Sequence, residues 1–326
     1  MFLSIAIIAL LIIFPKEASQ GAIDGLRLCA SAVIPALFPF FVATRLLPEL
    51  KCNALSKLYR IPEGSLSALF VSFLGGYPIG VARVCSMYED GIISKHEAQQ
   101  AIVFCNNSGP GFFVGMLGGY IFQDTVVGLV LYAIHILSAI LCTYLFQPRA
   151  KDYTLKRINH EKKSFAQNFT QAISASCEAM LNVSALVVLF SIIISILDAL
   201  KLFSALPQNI QALIFGSLEL TSGIALTKNT VNSFAICAFL MGWGGLCVHL
   251  QAMAIWNKQG LSVRNYLPAK LLHGLLSAFL ALSFMQGIVT FIITSLIFII
   301  ICGILRNFIK FGVEKRKDLL YNTSKR

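Results

Sequence analysis

Two apolar segments of this chain are each interrupted near the middle by glycine, proline and small polar residues. The first carries GGYPIG at 75–80 and the second carries NNSGPG at 106–111. Proline has no backbone N–H and disfavours helical backbone in the residue before it, while glycine tolerates left-handed backbone. Inside a bilayer such a break persists only where it is buried in protein or lines a polar cavity. Two breaks therefore predict a substrate site near the bilayer midplane; the alternative is that glycines only let helices pack closely.

Composition places the chain in a bilayer. Hydrophobic residues make up 57% of the 326 and charged residues 13%, whereas a soluble domain is about half apolar and a quarter charged. The net charge of +11 does not indicate nucleic acid, because Lys and Arg lie mostly in connectors and the tail, as they do beside cytoplasmic helix ends. We therefore predict an all-α polytopic membrane protein of about ten apolar segments, some of them re-entrant. Its partners would be the lipid bilayer and a small-molecule substrate, with no nucleic acid.

Motifs of catalysis and metal binding do not occur in the sequence. The nine cysteines are scattered singly without a C-x-x-C pair, so we interpret them as small buried hydrophobic residues and expect no metal or other cofactor. There is no nucleophile elbow, H-E-x-x-H or phosphate-binding loop, so we do not expect an enzyme. Energy for transport would then come from an ion gradient, a substrate gradient or a partner.

Charge and apolar runs divide the chain into five parts. A hydrophobic segment at 1–20 precedes a first repeat at 21–146, a basic linker at 147–165, a second repeat at 166–305 and a basic cytoplasmic tail at 306–326. The linker and the tail are placed in the cytoplasm by their Lys and Arg residues. The first apolar run has no basic residues before it and no convincing cleavage site, which favours a short first span or signal anchor over a removed signal peptide.

Several later apolar runs predict membrane spans. We expect uninterrupted spans at 125–146, 267–285 and 287–305, and an amphipathic lead into a span at 172–200. Each is long enough to cross about 30 Å of hydrocarbon.

The second half repeats the order of the interruptions. ELTSG at 219–223 corresponds to 76–80, and MGWGG at 241–245 corresponds to 106–110, with slightly different offsets for the two alignments. Corresponding interruptions in two halves are a sequence sign of a transporter site between repeats. The relative orientation of the two repeats is not determined by the sequence.

Glu219 is the most informative single residue, because an ionisable group within an apolar segment is costly and usually functional. It lies beside Thr221, Ser222 and Gly223, so a carboxylate, two hydroxyls and a glycine break fall together. We expect it to couple protons, or to bind a cation or a substrate donor. The alternative is a structural glutamate hydrogen-bonded to the facing repeat.

Asn106, Asn107 and Ser108 place donors and acceptors at the second break. They are candidates for substrate binding, although amides also replace lost backbone partners in a broken helix. Helix N-termini exposed at the breaks would favour an anionic substrate. Arg83, one turn beyond the first break, is expected either to pair with a substrate carboxylate or to extend toward the interface.

Two residues near the fourth break are further candidates. His249 is expected to shuttle protons or to be a hydrogen-bonded core residue, and Trp243 to stack on an aromatic ligand or to fill the repeat interface. His135 and His273 occur singly on spans and are weaker candidates.

These segments resemble the YlbJ-type sporulation integral membrane proteins of the wider nucleoside-recognition, or Gate, class. The resemblance covers roughly residues 20–290. It is carried by VIPALFPFFVATRLL (33–47), LGGYPIGVARV (74–84), FCNNSGPGFFVG (104–115), GSLELTSGI (216–224) and FLMGWGGLCVHLQ (239–251).

The resemblance implies two gate-like repeats with hairpin elements, and a role in moving dipicolinic acid across the outer forespore membrane. Dipicolinate is a rigid aromatic dianion, which Arg83, the asparagine amides and an aromatic such as Tyr77 or Trp243 would suit. Gly76, Pro78 and Gly80 complete the candidate binding residues.

Two other functions fit the same residues. A nucleoside transporter would use them to hold ribose hydroxyls and a base, and a structural protein of a sporulation complex would transport nothing. A coupling ion, further copies of the chain and other sporulation membrane proteins are the remaining candidate partners. The expected location is the bacterial cell membrane or the outer forespore membrane.

Overall fold

The computed structural model describes residues 2–47, 56, 62–146, 164–228 and 230–323, and all regular structure in these ranges is helical. The predicted basic linker lies outside the described residues over 147–163. The tail is helical as far as residue 323, but its side chains from 306 onward lie outside the described part.

The helices run as follows: α1 Phe2–Ile13, α2 Pro15–Leu28, α3 Ile34–Arg45, α4 Glu63–Gly75, α5 Ile79–Glu89, α6 Lys95–Phe104, α7 Gly111–Ile121, α8 Thr125–Phe146, α9 Phe165–Ala199, α10 Gln208–Leu218, α11 Leu220–Leu226, α12 Ser233–Trp243, α13 Gly245–Lys258, α14 Tyr266–Met285 and α15 Ile288–Thr323. A π-helical turn, Cys29–Val33, joins α2 to α3, and α7 is itself π-helical.

Among the described residues, six helical stretches are long and apolar enough to cross a bilayer. They are Pro15–Arg45, Thr125–Phe146, Phe165–Ala199, Ser233–Lys258, Tyr266–Met285 and Ile288–Leu305. This confirms the all-α polytopic membrane fold. The predicted span at 125–146 coincides with α8, and the predicted spans at 267–285 and 287–305 begin within a residue of α14 and α15. By contrast α1 has 12 residues, or about 18 Å of helix, which is less than the hydrocarbon thickness.

The first interruption is the tip of a helical hairpin formed by α4 and α5. The backbone turns at Gly76, whose φ is +78°, a conformation that glycine adopts without steric cost. Behind the tip, a Cβ on Gly80 would collide with the carbonyl oxygen of Cys105 and with the side chain of Ser72. The hairpin therefore closes only because glycine occupies both positions.

The third interruption is the tip of a second hairpin, formed by α10 and α11. Gln208 at the start of α10 donates a hydrogen bond from Nε2 to the carbonyl oxygen of Leu226 at the end of α11, over 3.0 Å. Nearer the tip, Gly216 packs directly against Gly223. The two helices are therefore antiparallel and the chain returns to the side from which it came.

The other two interruptions divide two broken spans that run in opposite directions. Near the start of α6, Gln99 donates from Nε2 to the carbonyl oxygen of Ser262 (2.7 Å), which follows the end of α13. At the far end, the ring of Phe122 after α7 lies 6.3 Å from that of Phe234 in α12. The path α6–α7 is therefore antiparallel to α12–α13.

The two hairpins enter from opposite faces. Phe146, the last residue before the linker, belongs to an apolar cluster with Leu66 of α4 and Met87 of α5, so the first hairpin opens on what we call the linker face. Lys228, just after α11, places its Nζ 5.2 Å from the ring centroid of Tyr120 near the end of α7. The second hairpin therefore opens on the opposite face. The element order and the reversed direction agree with an inverted pair of repeats, and their assignment to gate-type repeats stays a prediction.

Candidate functional site

The tip of the first hairpin contacts both broken spans. A Cβ on Gly76 would lie 3.0 Å from the amide nitrogen of Gly109 in the second interruption. The neighbouring Tyr77 donates its hydroxyl to the carbonyl oxygen of Met241, near the end of α12, over 2.9 Å. This hydrogen bond connects the two halves of the chain across 164 positions.

The fourth interruption connects this contact to the second hairpin. The backbone breaks at Gly244, and a Cβ on Gly245 would lie 3.2 Å from the amide nitrogen of Leu220 at the second hairpin tip. All four interruptions therefore meet in one place. The contact is closed to solvent, since Asn106 and Asn107 are only 0% and 2% exposed.

A buried lysine lies at the centre of this contact. Lys270 of α14, which is 2% exposed, donates from Nζ to the carbonyl oxygen of Asn106 over 2.8 Å and lies 3.1 Å from Nδ1 of His273. Lys270 was not among the residues predicted from the sequence. The available signal was spacing, because Tyr266, Lys270, His273 and Ser277 follow at intervals of four, three and four on one helix face.

The side chain of Asn106 extends the network to the fourth interruption. Its Nδ2 donates to the hydroxyl of Tyr266, which lies 3.2 Å from Nδ1 of His249. The ring of Trp243 stands edge-on to that of His249, with centroids 4.4 Å apart. Asn106 Oδ1 and His249 Nε2 are buried with no hydrogen-bond partner among the described residues. Buried polar atoms are rarely left unpaired, so each has capacity for a water or a ligand.

The remaining residues of the second interruption stabilise the break. Asn107 donates from Nδ2 to the carbonyl oxygen of Phe104 (2.7 Å) and to Ser72 Oγ (2.9 Å), so it replaces lost backbone partners as the structural alternative expected. The backbone N–H of Ser108 donates to Nε2 of His135 over 3.2 Å.

His135 and His273, the weaker candidates from the sequence, belong to the same network. We call this set of connected residues the Lys270 network; it consists of Asn106, His135, His249, Tyr266, Lys270 and His273. His273 places Nε2 3.1 Å from the backbone carbonyl oxygen of His135, and their rings lie 4.5 Å apart. A void of about 10 Å³ beside Asn107, Lys270 and His273 is the size of about one water molecule. This void beside Lys270 therefore has no room for a larger molecule in the closed arrangement.

Glu219 caps its own hairpin. Its carboxylate accepts from the backbone N–H groups of Thr221 (2.9 Å) and Ser222 (2.6 Å) and is 2% exposed. Both of these contacts lie on α11. The structural alternative had expected hydrogen bonds to the facing repeat instead. Gly223 packs inside the hairpin against Gly216. The N-terminus of α11 is thus already occupied by a carboxylate of the chain itself.

Arg83 lies apart from the network. It lines a cavity of about 470 Å³ together with Arg45 of α3 and residues of α9. Pro78 is the N-cap residue of α5, and with Gly80 it shapes the hairpin without presenting a side-chain donor. The structure thus brings together Tyr77, the second interruption, Trp243 and His249, and it places Arg83 in a separate cavity. The described residues contain no cluster of three His, Cys, Asp or Glu side chains placed to hold a metal ion.

Comparison with known proteins supports the resemblance described above. The chain is 23% identical over 318 residues to the sporulation integral membrane protein YlbJ of Bacillus subtilis (strain 168), with 83% of this chain and 78% of that protein covered. No family model and no solved structure matches the chain. The similarity to YlbJ confirms the relation to YlbJ-type proteins that the interrupted segments indicated.

Proposed function

We propose that this relative of a sporulation integral membrane protein is a secondary transporter or facilitator for a small anionic aromatic molecule, dipicolinic acid, during sporulation. Its location would be the outer forespore membrane or the bacterial cell membrane. The observation that carries the proposal is the hydrogen bond from Tyr77 to the carbonyl oxygen of Met241, because it seals the tip of one hairpin against a broken span of the other half. Such contacts between interrupted helices at membrane depth are typical of transporter sites.

The arrangement of the hairpins supports alternating access. The α4–α5 hairpin opens on the linker face and the α10–α11 hairpin on the opposite face, and both tips contact the fourth interruption. Withdrawal of one hairpin would expose the Lys270 network to one side while the other hairpin still closes the other side. The sequence has no phosphate-binding loop, so the energy would come from a gradient.

The chemistry of the network suits an anion with hydrogen-bonding groups. Lys270 brings an amino group, positively charged when protonated, to the contact, and His249 Nε2 is buried with no hydrogen-bond partner among the described residues. Once a hairpin opens, the ammonium group would attract a carboxylate and the aromatic rings beside His249 would flank a planar ligand.

A nucleoside transporter is the second candidate, and the unpaired side-chain oxygen of Asn106 favours it. Asn106 Oδ1 accepts hydrogen bonds, so it suits a ribose hydroxyl, whereas the pyridine nitrogen and carboxylates of dipicolinate have no hydrogen to donate to it. His249 Nε2 could bind either ligand, according to its tautomer. Uptake of labelled dipicolinate into liposomes containing the purified protein separates the candidates. We expect saturable uptake that unlabelled dipicolinate inhibits and nucleosides do not; nucleoside uptake alone would support the second function. If the folded protein took up neither, a structural role in a sporulation complex would be favoured.

A further inference from the structure

We propose that the cavity between α3, α5 and α9 is a binding site for a small planar dianion with two carboxylates, held between the guanidinium groups of Arg45 and Arg83. We call this cavity the vestibule. It is lined among others by Thr44, Arg45, Ser67, Arg83, Asn168 and Gln171. The inference rests on the proposed function for the identity of the dianion and adds where that dianion first binds.

The vestibule has the size and lining of a ligand site. Its volume is about 470 Å³, within the range of about 300–1,000 Å³ that is usual for small-molecule pockets. Hydroxyl and amide side chains from α3, α4, α5 and α9 surround the two guanidinium groups. The vestibule therefore offers charge, neutral donors and room in one place, which the closed Lys270 network does not.

The charge of the vestibule favours an anion. Of the described residues that line it, two are arginines and none is Asp or Glu; Glu178 of α9 acts electrostatically on Arg45 from outside the lining. Arg45 directs Nη2 to the carbonyl oxygen of Ala175 on α9 over 3.3 Å, which fixes the plane of its guanidinium and engages one of its nitrogens. A guanidinium has five N–H donors in a fork that matches a carboxylate. Two such groups on different helices suit a ligand with two carboxylates.

The floor of the vestibule adjoins the first interruption. A Cβ on Gly75 would lie 3.1 Å from Oγ1 of Thr44 and 3.0 Å from Cδ1 of Ile79, and both of these residues line the vestibule. The next residues along the chain are the hairpin tip that carries Tyr77. The floor of the vestibule therefore adjoins the hairpin tip that contacts the fourth interruption.

The mouth of the vestibule lies on the linker face. Phe165, the first residue of α9, lines it. Positive charge lining an opening, as Arg45 and Arg83 do here, raises the local concentration of anions. A second possible anion site, the N-terminus of α11, is already occupied by the carboxylate of Glu219. Arg45 and Arg83 are therefore the better site for an anion.

Equilibrium binding to the purified full-length protein tests this site without requiring transport. The probes are dipicolinate, isophthalate as a dianion without the ring nitrogen, and the neutral diamide of dipicolinate. We expect Arg45→Gln and Arg83→Gln each to weaken binding of both dianions about 10-fold and the double variant about 100-fold or more, since a hydrogen bond to a charged group contributes about 1.5–3 kcal/mol. The diamide should bind weakly and equally to all variants.

Arg264→Gln is the matched control, because Arg264 is an exposed arginine on the linker face between α13 and α14. It should leave dianion affinity within about twofold, as a screened surface charge does. Should the double variant fail to fold, a Ser86→Cys protein with Cys52 and Cys177 replaced by serine gives a second measurement. Ser86 lines the vestibule, so dipicolinate should protect this cysteine from maleimide and the diamide should not.

The outcomes separate this site from the proposed function. A double variant that binds dipicolinate as tightly as the wild type, an unprotected Ser86→Cys, or a wild-type protein that binds neither dianion would overturn the vestibule. If the double variant takes up dipicolinate at the wild-type rate, the vestibule proposal is also wrong. The proposed transport function would not be affected by that result. Dianion binding in the vestibule without uptake into liposomes would support the site and overturn the transporter.

Discussion

Nζ of Lys270 lies 2.8 Å from the carbonyl oxygen of Asn106, a residue 164 positions earlier in the chain. The contact joins the α14 span to the backbone freed by the second interruption. A wholly buried ammonium group is costly to desolvate, and here it is held by a carbonyl oxygen and a histidine nitrogen. The fold therefore holds a basic amino group, positively charged when protonated, at the place where the interruptions meet.

Lys270→Met tests the role of that charge. We expect dipicolinate uptake to fall roughly 10- to 100-fold, because a hydrogen bond to a charged group contributes about 1.5–3 kcal/mol. The loss of a costly buried charge offsets the unpaired carbonyl oxygen, so the thermal unfolding midpoint should change little. Lys258→Met, at the exposed end of α13, is the control. Normal uptake by Lys270→Met would show that the lysine is structural.

Tyr77→Phe removes the hydrogen bond between the first hairpin tip and the carbonyl oxygen of Met241. The variant leaves the buried carbonyl oxygen of Met241 unpaired, at a cost of about 1–3 kcal/mol. Only the closed arrangement is destabilised, because this hydrogen bond forms only when the hairpin is closed. We expect a cysteine placed at Ser72, buried behind the tip, to react faster with maleimide in this variant. Equal rates with and without the hydroxyl would mean that Tyr77 does not hold the hairpin closed.

Glu219→Gln and Glu219→Ala separate a capping role from proton coupling. The carboxylate accepts from two backbone N–H groups, and loss of an N-cap costs about 0.5–2 kcal/mol. If capping is its role, the alanine variant should unfold at a lower temperature, and the glutamine variant should keep most of the stability and the uptake. A glutamine variant with wild-type stability and no uptake would instead identify a coupling carboxylate.

Gly80→Ala tests the close approach of the first hairpin to the end of α6. The added Cβ would collide with the carbonyl oxygen of Cys105, and overpacking of this kind costs about 1–3 kcal/mol. Thermal unfolding in detergent should show the loss. Gly303→Ala, where nothing lies within 4 Å of the added Cβ, should be neutral or stabilising; equal effects at both positions would contradict the packing argument.

The sequence predicted the breaks and the spans well, because both arise from local chemistry. Glycine and proline within apolar runs identify interruptions such as 75–80, and an unbroken apolar run such as 125–146 identifies a span. Lys270 was missed because a single lysine near the start of a span resembles an interfacial residue. Its role depends on Asn106, which only tertiary packing brings near. Arg83 was identified from the sequence, but Arg45, which lines the same cavity, was not. Its position beside Arg83 depends on how α3 packs against α4 and α9.

The account depends on the interruptions opening to each face in turn, and the accessibility of Ser108 tests this most directly. Ser108 is 1% exposed, lies beside the first hairpin tip at Gly76 and donates its backbone N–H to His135. In a protein whose nine native cysteines are replaced, Ser108→Cys should react slowly with impermeant maleimides in the closed state. During dipicolinate transport it should react from the linker face and from the opposite face of the same oriented liposomes. Reaction from one face only, or from neither while dipicolinate is being transported, would contradict the account.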